Sequence, residues 1–140
     1  MPLSTTHLES SALALSRAVR VTQDAAMWKT LAAPVQEAVQ AGVIQSFEVA
    51  YEQSWKMMKR WLEMNANPLE VDGVSRRQLF RLAAEAGLIA DVDMWMLFHK
   101  ARNETSHTYD IEKARAVLEM VQPFLTECND LMSALKAKND

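Results

Sequence analysis

The sequence has few of the residues that make turns. It contains 3 glycines and 4 prolines in 140 residues, whereas average usage would give roughly 17 of the two together. Sandwiches and barrels need many turns, so this scarcity argues against an all-β fold. Good helix formers are abundant, and 49% of the residues are hydrophobic and 24% charged. The composition therefore predicts a globular all-α protein.

Cysteine and long apolar runs are also scarce. The single cysteine, Cys128, lies on an apolar helical stripe and is interpreted as a small buried residue that cannot form an intramolecular disulfide. The longest uncharged apolar run, Met94–Phe98, is far too short to span a membrane. No positive charges precede an apolar run in Met1–Ser4, so we expect no secretory signal and a cytoplasmic protein.

An excess of positive charge is missing as well. The chain has 15 Lys and Arg against 18 Asp and Glu, with a formal net charge of −3. Proteins that bind nucleic acid along a broad face are usually strongly basic, so any phosphate site must be local. The three histidines show no metal-ligand spacing and there is no glycine-rich phosphate loop, so we expect neither a metal nor a cofactor.

Hydrophobic periodicity predicts five helices in one domain over residues 1–140. In chain order they cover about residues 7–33, 36–64, 75–87, 91–105, and residue 110 onwards. Two starts have an alternative: residue 42 for the second helix and residue 93 for the fourth. The first is expected to stop at Pro34, and a break near Asp24 is left open. Ser75 and Gln78 fit a capping box, and Pro123 predicts a kink in the fifth helix near residue 122. Long amphipathic helices with short connections form an antiparallel four- or five-helix bundle.

The segment before the fifth helix carries the polar residues with the most specific chemistry. Trp95, Phe98 and Arg102 are spaced three and four apart, so on a continuous helix Arg102 shares a face with two large aromatics. An inward guanidinium needs a partner, which here is either a carboxylate of the second helix or a phosphate ligand. His107 would point roughly 140° away on an unbroken helix. The two side chains therefore converge only if the helix ends between them.

A helix end at this point would place His107 and Tyr109 in the corner before the fifth helix, whose free N–H groups favour an anion. An arginine, a histidine and a helix N-terminus together suit a phosphodiester. Glu48 or Glu52 of the second helix orients Arg102 across the bundle in one interpretation, and lies on a solvated face in the other. The whole segment is alternatively a capping turn with an exposed histidine and an Arg–Glu surface pair.

Two other groups of basic residues are assigned no function. The cluster Arg76, Arg77 and Arg81 on the third helix is interpreted as solvated in preference to a docking patch. His7 and His99 belong to no recognisable constellation of residues.

Two motifs carry a resemblance to a known family. Residues 102–109 read RNETSHTY and resemble the R-x-x-x-x-H-x-Y motif of the HEPN superfamily. Residues 42–56, GVIQSFEVAYEQSWK, are similar to the G-x-I-Q-x-F-E…Y-E-x-x-W-K pattern of one subfamily. That subfamily comprises the toxins of the HEPN–MNT toxin–antitoxin systems. Its members are also described as the substrate-binding proteins of minimal nucleotidyltransferases. The resemblance covers about residues 8–135, and two motifs in order are far more specific than an arginine and a histidine alone.

The resemblance implies a helical bundle that forms a homodimer and acts as a metal-independent endoribonuclease. Arg102 and His107 of both subunits would meet in one cleft as the catalytic pair. Histidine can take the 2′-hydroxyl proton or protonate the leaving 5′-oxygen, and arginine can stabilise charge on the phosphoryl oxygens. The supporting residues expected around this pair are Asn103, Ser106, Glu48 and Glu52.

The resemblance also implies a partner. In such pairs an MNT-type nucleotidyltransferase antitoxin transfers AMP from ATP to the tyrosine that corresponds to Tyr109, where added bulk and negative charge would exclude RNA. One alternative is a non-catalytic nucleotide- or substrate-binding subunit of that transferase, and another is a purely structural interaction module. A dimer that grips one phosphate needs little positive charge elsewhere, so we expect a shallow salt dependence of RNA binding.

Overall fold

The computed structural model describes residues 3–138, which form helices and no strand. In chain order the helices are α1 (Thr6–Gln23), α2 (Ala25–Trp28), α3 (Ala33–Asn65), α4 (Pro68–Val71), α5 (Arg76–Glu85), α6 (Val92–Glu104) and α7 (Ile111–Ala137), with a 3₁₀ turn at Thr105–His107. The predicted all-α fold is confirmed. The prediction of one domain over residues 1–140 stays a prediction, and so does the expectation of no signal at the N-terminus. Residues 1, 2, 139 and 140 lie outside the described residues.

The five predicted helices correspond to the five longer ones, but two boundaries near residue 30 are wrong. The second predicted helix begins at Ala33, before the predicted residue 36 or 42. The first predicted helix is interrupted at Asp24, the position at which the sequence left a break undecided. The Asp24 side chain accepts a hydrogen bond from the backbone N–H of Met27 and starts the short helix α2. Residues 29–32 are not helical, so the predicted continuation to residue 33 is wrong. Pro34 lies in the first turn of α3, where backbone N–H groups have no partner within the helix, so its lack of an N–H costs nothing there. Pro34 therefore stands at the start of a helix and not, as predicted, at the end of one.

The other helix ends follow the local signals in the sequence. The Ser75 hydroxyl accepts a hydrogen bond from the N–H of Gln78 at the start of α5, and Gly87 beyond its end has a φ of +80°. Of the two predicted starting points for this helix, residues 91 and 93, the structure shows the first, because the Asp91 carboxylate accepts a hydrogen bond from the backbone N–H of Met94 at the start of α6. α7 continues through Pro123 as a single helix, so the predicted kink stays a prediction. The short helix α4 was not predicted.

Four aromatic rings at the centre of the bundle fix α3, α6 and α7 against one another. Phe124 of α7 lies edge-on to Phe47, Trp95 and Phe98, with ring centroids 5.1, 5.8 and 5.3 Å apart. All four side chains are fully buried. Cys128 is also fully buried, as predicted, with its sulfur 3.6 Å from the Ser54 hydroxyl. This packing brings the last turn of α6 alongside the middle of α3.

α1 packs along α3 and completes the bundle on its other side. Its inward residues recur at helical spacing, with Leu8 and Leu15 fully buried. None of the helices within residues 3–138 is both long and apolar enough to cross a membrane.

Candidate functional site

Arg102 lies in the last turn of α6 and forms ion pairs with two carboxylates of α3. Its Nε donates to Oε1 of Glu52 at 3.2 Å, and its NH2 lies 3.2 Å from Oε1 of Glu48. The arginine side chain is 29% exposed. Of the two partners considered for Arg102, the structure shows the carboxylates, and it shows that Glu48 and Glu52 face the end of α6.

The third branch of the guanidinium is fixed by its own helix end. NH1 of Arg102 donates to the hydroxyl of Thr105 at 3.3 Å, and that hydroxyl donates to the backbone carbonyl of Arg102 at 2.7 Å. Glu48 and Glu52 are one helical turn apart, so both carboxylates reach the same side of α3. Three partners in three directions hold the planar guanidinium in one orientation. Thr105 was not among the predicted supporting residues.

His107 lies in the 3₁₀ turn that follows α6, and its side chain is exposed. The helix therefore ends between Arg102 and His107, which is the condition predicted for the two side chains to converge. The imidazole ring packs edge-on to the ring of Tyr109, with centroids 6.2 Å apart. Within residues 3–138 the His107 side chain makes no hydrogen bond or ion pair, including with Arg102. The structure thus puts His107 and Arg102 on one turn without direct contact in a single chain.

The two other predicted polar residues lie on the exposed side of the same turn. Ser106 donates its hydroxyl hydrogen to the backbone carbonyl of Asn103 at 3.3 Å, which ties the end of α6 to the turn. The side chains of Asn103 and Ser106 are both exposed. Both are available to a ligand that approaches His107.

The start of α7 differs from expectation. The carboxylate of Asp110 accepts hydrogen bonds from the backbone N–H groups of Glu112 and Lys113 at 2.9 and 3.4 Å. Because these donors already have an anionic partner, the expectation that free N–H groups there favour a phosphate is wrong. A capping carboxylate adds negative charge at that end instead. Lys113 also pairs with Glu104, 3.6 Å away, and fastens α7 to α6.

A hydrogen-bonded group beside Arg102 contradicts two of the sequence interpretations. The Tyr51 hydroxyl accepts from NH1 of Arg76 at 3.0 Å and lies 2.8 Å from Nδ1 of His99. His99 therefore does belong to a constellation, and Arg76 is not simply solvated. Three helices, α3, α5 and α6, contribute one residue each, and crossings of this kind leave no local sequence signal.

The direction of the Tyr51–His99 bond follows from the acceptors within reach. Arginine can only donate, so among the described contacts of Tyr51 the acceptor for its buried hydroxyl hydrogen is Nδ1 of His99. An unprotonated Nδ1 satisfies that hydrogen, whereas an Nδ1–H would leave it without a partner. Burial raises the pKa of Tyr51 to about 12. Burial lowers the pKa of His99, and the nearby positive charges of Arg76 and Arg102 act in the same direction, while Glu52 opposes them. The lowered pKa favours the neutral imidazole, which can accept the Tyr51 hydroxyl hydrogen.

Trp55 connects this group to the Arg102 ion pairs. The guanidinium carbon of Arg76 lies 3.7 Å from the ring centroid of Trp55, a cation–π contact. The indole N–H of Trp55 donates to Oε2 of Glu52 at 3.0 Å, while Oε1 of the same carboxylate accepts from Arg102. Glu52 is thus held by two side chains at once. We refer to Tyr51, Trp55, Arg76 and His99 as the aromatic–arginine cluster.

The low pKa of His99 makes the stability of the protein sensitive to pH. The unfolded chain binds a proton at this residue near pH 6.5, whereas the folded chain does so only at lower pH. The free energy of unfolding is therefore expected to fall as pH is lowered through about 6.5 and to level off once the folded form is protonated. Chemical denaturation between pH 7.5 and 5 measures this.

The comparison variant for this measurement is His99→Gln, which keeps an acceptor for the Tyr51 hydroxyl but does not titrate. It is expected to show a shallower pH dependence than the wild-type protein. His7→Gln, at an exposed position on α1, is the matched control and should retain the wild-type dependence. Identical curves for His99→Gln and the wild type would contradict the assignment.

No group of three or more His, Cys, Asp and Glu side chains in the described part of the chain is arranged to hold a metal ion. The titratable and charged groups at this site are a guanidinium, an imidazole, a phenol and two carboxylates.

Comparison with known proteins gives concordant matches in sequence and structure. Residues 3–137 match the family model described as nucleotidyltransferase substrate binding protein like. A Haemophilus influenzae protein named probable ribonuclease HepT is 42% identical over 106 residues, which cover 75% of this chain and 73% of that protein.

Two solved structures share the fold. A Haemophilus influenzae structure, described as revealing the fold of a substrate-binding domain of a nucleotidyltransferase, superposes with a TM-score of 0.92 at 36% identity, covering 95% of this chain and 99% of that one. A structure from Thermus thermophilus superposes with a TM-score of 0.71 at 23% identity, covering 91% and 98%. The second likeness concerns the fold alone.

Proposed function

Because the chain belongs to the family of nucleotidyltransferase substrate-binding proteins, we propose that it is a HEPN-type endoribonuclease whose partner is a nucleotidyltransferase. The observation that carries the proposal is the arrangement of Arg102 and His107, a fixed guanidinium and an exposed imidazole on consecutive turns. The relative named as a probable ribonuclease supports the same reaction class. In this proposal Arg102 and His107 are the catalytic residues.

The proposed reaction is an in-line transfer within the RNA. The 2′-oxygen forms a bond to phosphorus, the bond from phosphorus to the 5′-oxygen breaks, and the products are a 2′,3′-cyclic phosphate and a 5′-hydroxyl. One imidazole accepts the 2′-hydroxyl proton and another donates a proton to the 5′-oxygen. His107 has no internal hydrogen-bond partner within residues 3–138 and is accessible for either role.

The two proton transfers support a homodimer. A single His107 cannot readily serve both faces of the phosphorus in one step, and a symmetric pair of subunits supplies two imidazoles. Arg102 then stabilises the charge that develops on the phosphoryl oxygens, with Glu48, Glu52 and Thr105 fixing its orientation. Asn103 and Ser106 are the proposed supporting contacts to the RNA backbone. No step needs a metal ion.

Cleavage of a single-stranded RNA by the purified full chain in the presence of EDTA tests this proposal. We expect products that end in a cyclic phosphate, from a protein that sediments as a dimer. An inert wild-type protein that binds nucleotide would instead support the alternative, a non-catalytic substrate-binding subunit. That alternative is favoured by the description of the family model and of the related Haemophilus structure.

Tyr109 is the proposed site of regulation. The chain has two tyrosines; Tyr51 is fully buried in the aromatic–arginine cluster, whereas Tyr109 is 85% exposed. Its ring also contacts that of His107. We propose that the partner nucleotidyltransferase, acting as antitoxin, transfers AMP from ATP to the Tyr109 oxygen. The oxygen forms a bond to the α-phosphorus and loses its proton, and pyrophosphate leaves. The added phosphate would repel the RNA backbone next to His107.

The intact mass of the protein purified with and without the co-expressed partner measures this modification. We expect whole AMP units to be added to the wild-type protein and none to be added to Tyr109→Phe, because the remaining tyrosine is inaccessible. His107→Ala is the matched control within the same turn and should be modified like the wild type. Modification of Tyr109→Phe would contradict the assignment of the acceptor.

A further inference from the structure

A cleft of about 460 Å³ lies between the first half of α3 and the first half of α7. Its size is within the range of sites that hold small organic ligands. Tyr109 lies on its rim together with Thr108, so the cleft begins at the proposed modification site. Its lining includes Glu37, Gln40, Ile44, Tyr109, Arg115 and Leu118.

The polar side chains of this cleft are not engaged by the protein itself. Within residues 3–138 Glu37, Gln40 and Arg115 make no side-chain hydrogen bond or ion pair. In contrast, Arg102 on the other side of the 3₁₀ turn has three partners. An uncommitted guanidinium next to uncommitted amide and carboxylate groups suits a ligand that is anionic at one end and polar at the other.

The arrangement matches a nucleoside monophosphate. Arg115 offers a charged donor for a phosphate, and the amide of Gln40 can both donate to and accept from an adenine edge. Glu37, one turn earlier on α3, offers an acceptor for an exocyclic amine. Ile44 and Leu118 provide apolar surface for the face of the base. Apolar walls with a few convergent polar groups are typical of small-molecule sites.

From these observations we infer that the α3–α7 cleft binds an adenosine 5′-monophosphate group. The choice of AMP over other nucleotides rests on the proposed function, in which AMP is transferred to Tyr109. The cleft would then receive the nucleotide carried by that tyrosine. A base held there would keep the modified side chain folded against α7 and beside His107.

The test is equilibrium dialysis of free AMP against the full chain, purified without a nucleotidyltransferase so that Tyr109 is unmodified. We expect saturable binding that weakens about tenfold or more in Arg115→Ala, because a charge-assisted hydrogen bond is lost. Gln40→Ala should also weaken it. The matched control is Arg81→Ala, an exposed arginine on α5 outside the cleft, which should bind AMP like the wild type.

Ribose 5-phosphate is the second probe, since it has the phosphate and sugar but no base. Equal binding of AMP and ribose 5-phosphate would overturn the assignment of a base site. Absence of saturable AMP binding, or unchanged affinity in both cleft variants, would overturn the inference as a whole. RNA cleavage is measured on the same preparations. A protein that cleaves RNA but does not bind AMP refutes only the AMP site in the cleft. A protein that binds AMP but does not cleave RNA refutes only the proposed ribonuclease activity.

Discussion

Replacement of His107 by alanine is expected to lower the rate of RNA cleavage by about 10² to 10⁴-fold, the usual contribution of a general acid or base. The loss should appear in single-turnover rates under saturating protein, where weaker binding does not contribute. Because the imidazole is exposed and makes no hydrogen bond within residues 3–138, the free energy of unfolding should change by less than about 0.5 kcal/mol. A His107→Ala protein that no longer cleaves RNA but keeps the wild-type free energy of unfolding would therefore indicate a direct chemical role for His107.

His7→Ala is the matched control for this experiment, since His7 is also exposed but lies on α1. It should cleave RNA at the wild-type rate. A His107→Ala protein with wild-type cleavage would refute the proposed catalytic pair. Loss of cleavage accompanied by loss of the dimer would assign His107 to assembly instead, so sedimentation of both variants belongs to the measurement.

Replacement of Arg102 by alanine is expected to lower cleavage by about 10² to 10³-fold, as removal of a donor to a developing oxyanion does. Unlike the histidine variant, it should also lower the free energy of unfolding by about 1 to 3 kcal/mol, because Glu48 and Glu52 lose their shared partner. Arg102→Lys should rescue little of the activity. A single ammonium group cannot reproduce three bonds in one plane.

The two effects of Arg102→Ala can be separated. Adding Glu48→Gln and Glu52→Gln removes the unpaired negative charges and should restore stability but not cleavage. Arg77→Ala is the matched control, since that arginine pairs only with the exposed Asp93 at 3.4 Å, and it should leave both properties unchanged. Cleavage restored by the triple variant would contradict a direct role for the guanidinium.

The parts of this site that were predictable are those encoded over one or two helical turns. The spacing from Trp95 to Arg102 fixes which face the arginine occupies, and a face that also buries two aromatics requires a charged partner. Glu48 and Glu52 were identified because they follow the same period on α3. The position of the helix end before His107 follows from the run of short polar residues after Arg102.

The aromatic–arginine cluster was not predictable in this way. Tyr51 lies 25 residues from Arg76 and 48 residues from His99 along the chain, and their contact depends on how α3, α5 and α6 cross. Each residue has an ordinary local role, as a buried aromatic, a helix-start arginine or a half-buried histidine. None of these local roles indicates which residue of another helix will be the partner.

Asp110 shows a different limit of local reasoning. Asp110, the residue at which the fifth helix is predicted to start, caps α7, and the same helix start was separately expected to attract a phosphate. Both could not hold for the same N–H groups, because the backbone donors of Glu112 and Lys113 are already bonded to Asp110 and have no hydrogen left for a ligand.

The ion pairs of Arg102 have a consequence for turnover. One positive and two negative side chains leave this corner with a formal charge of −1 before any RNA arrives. A phosphate that binds the guanidinium therefore competes with the two carboxylates for its positive charge, and this competition favours release of the cut ends. In the proposed reaction, the cleaved RNA ends should dissociate quickly. Each subunit pair should therefore complete many turnovers without product inhibition.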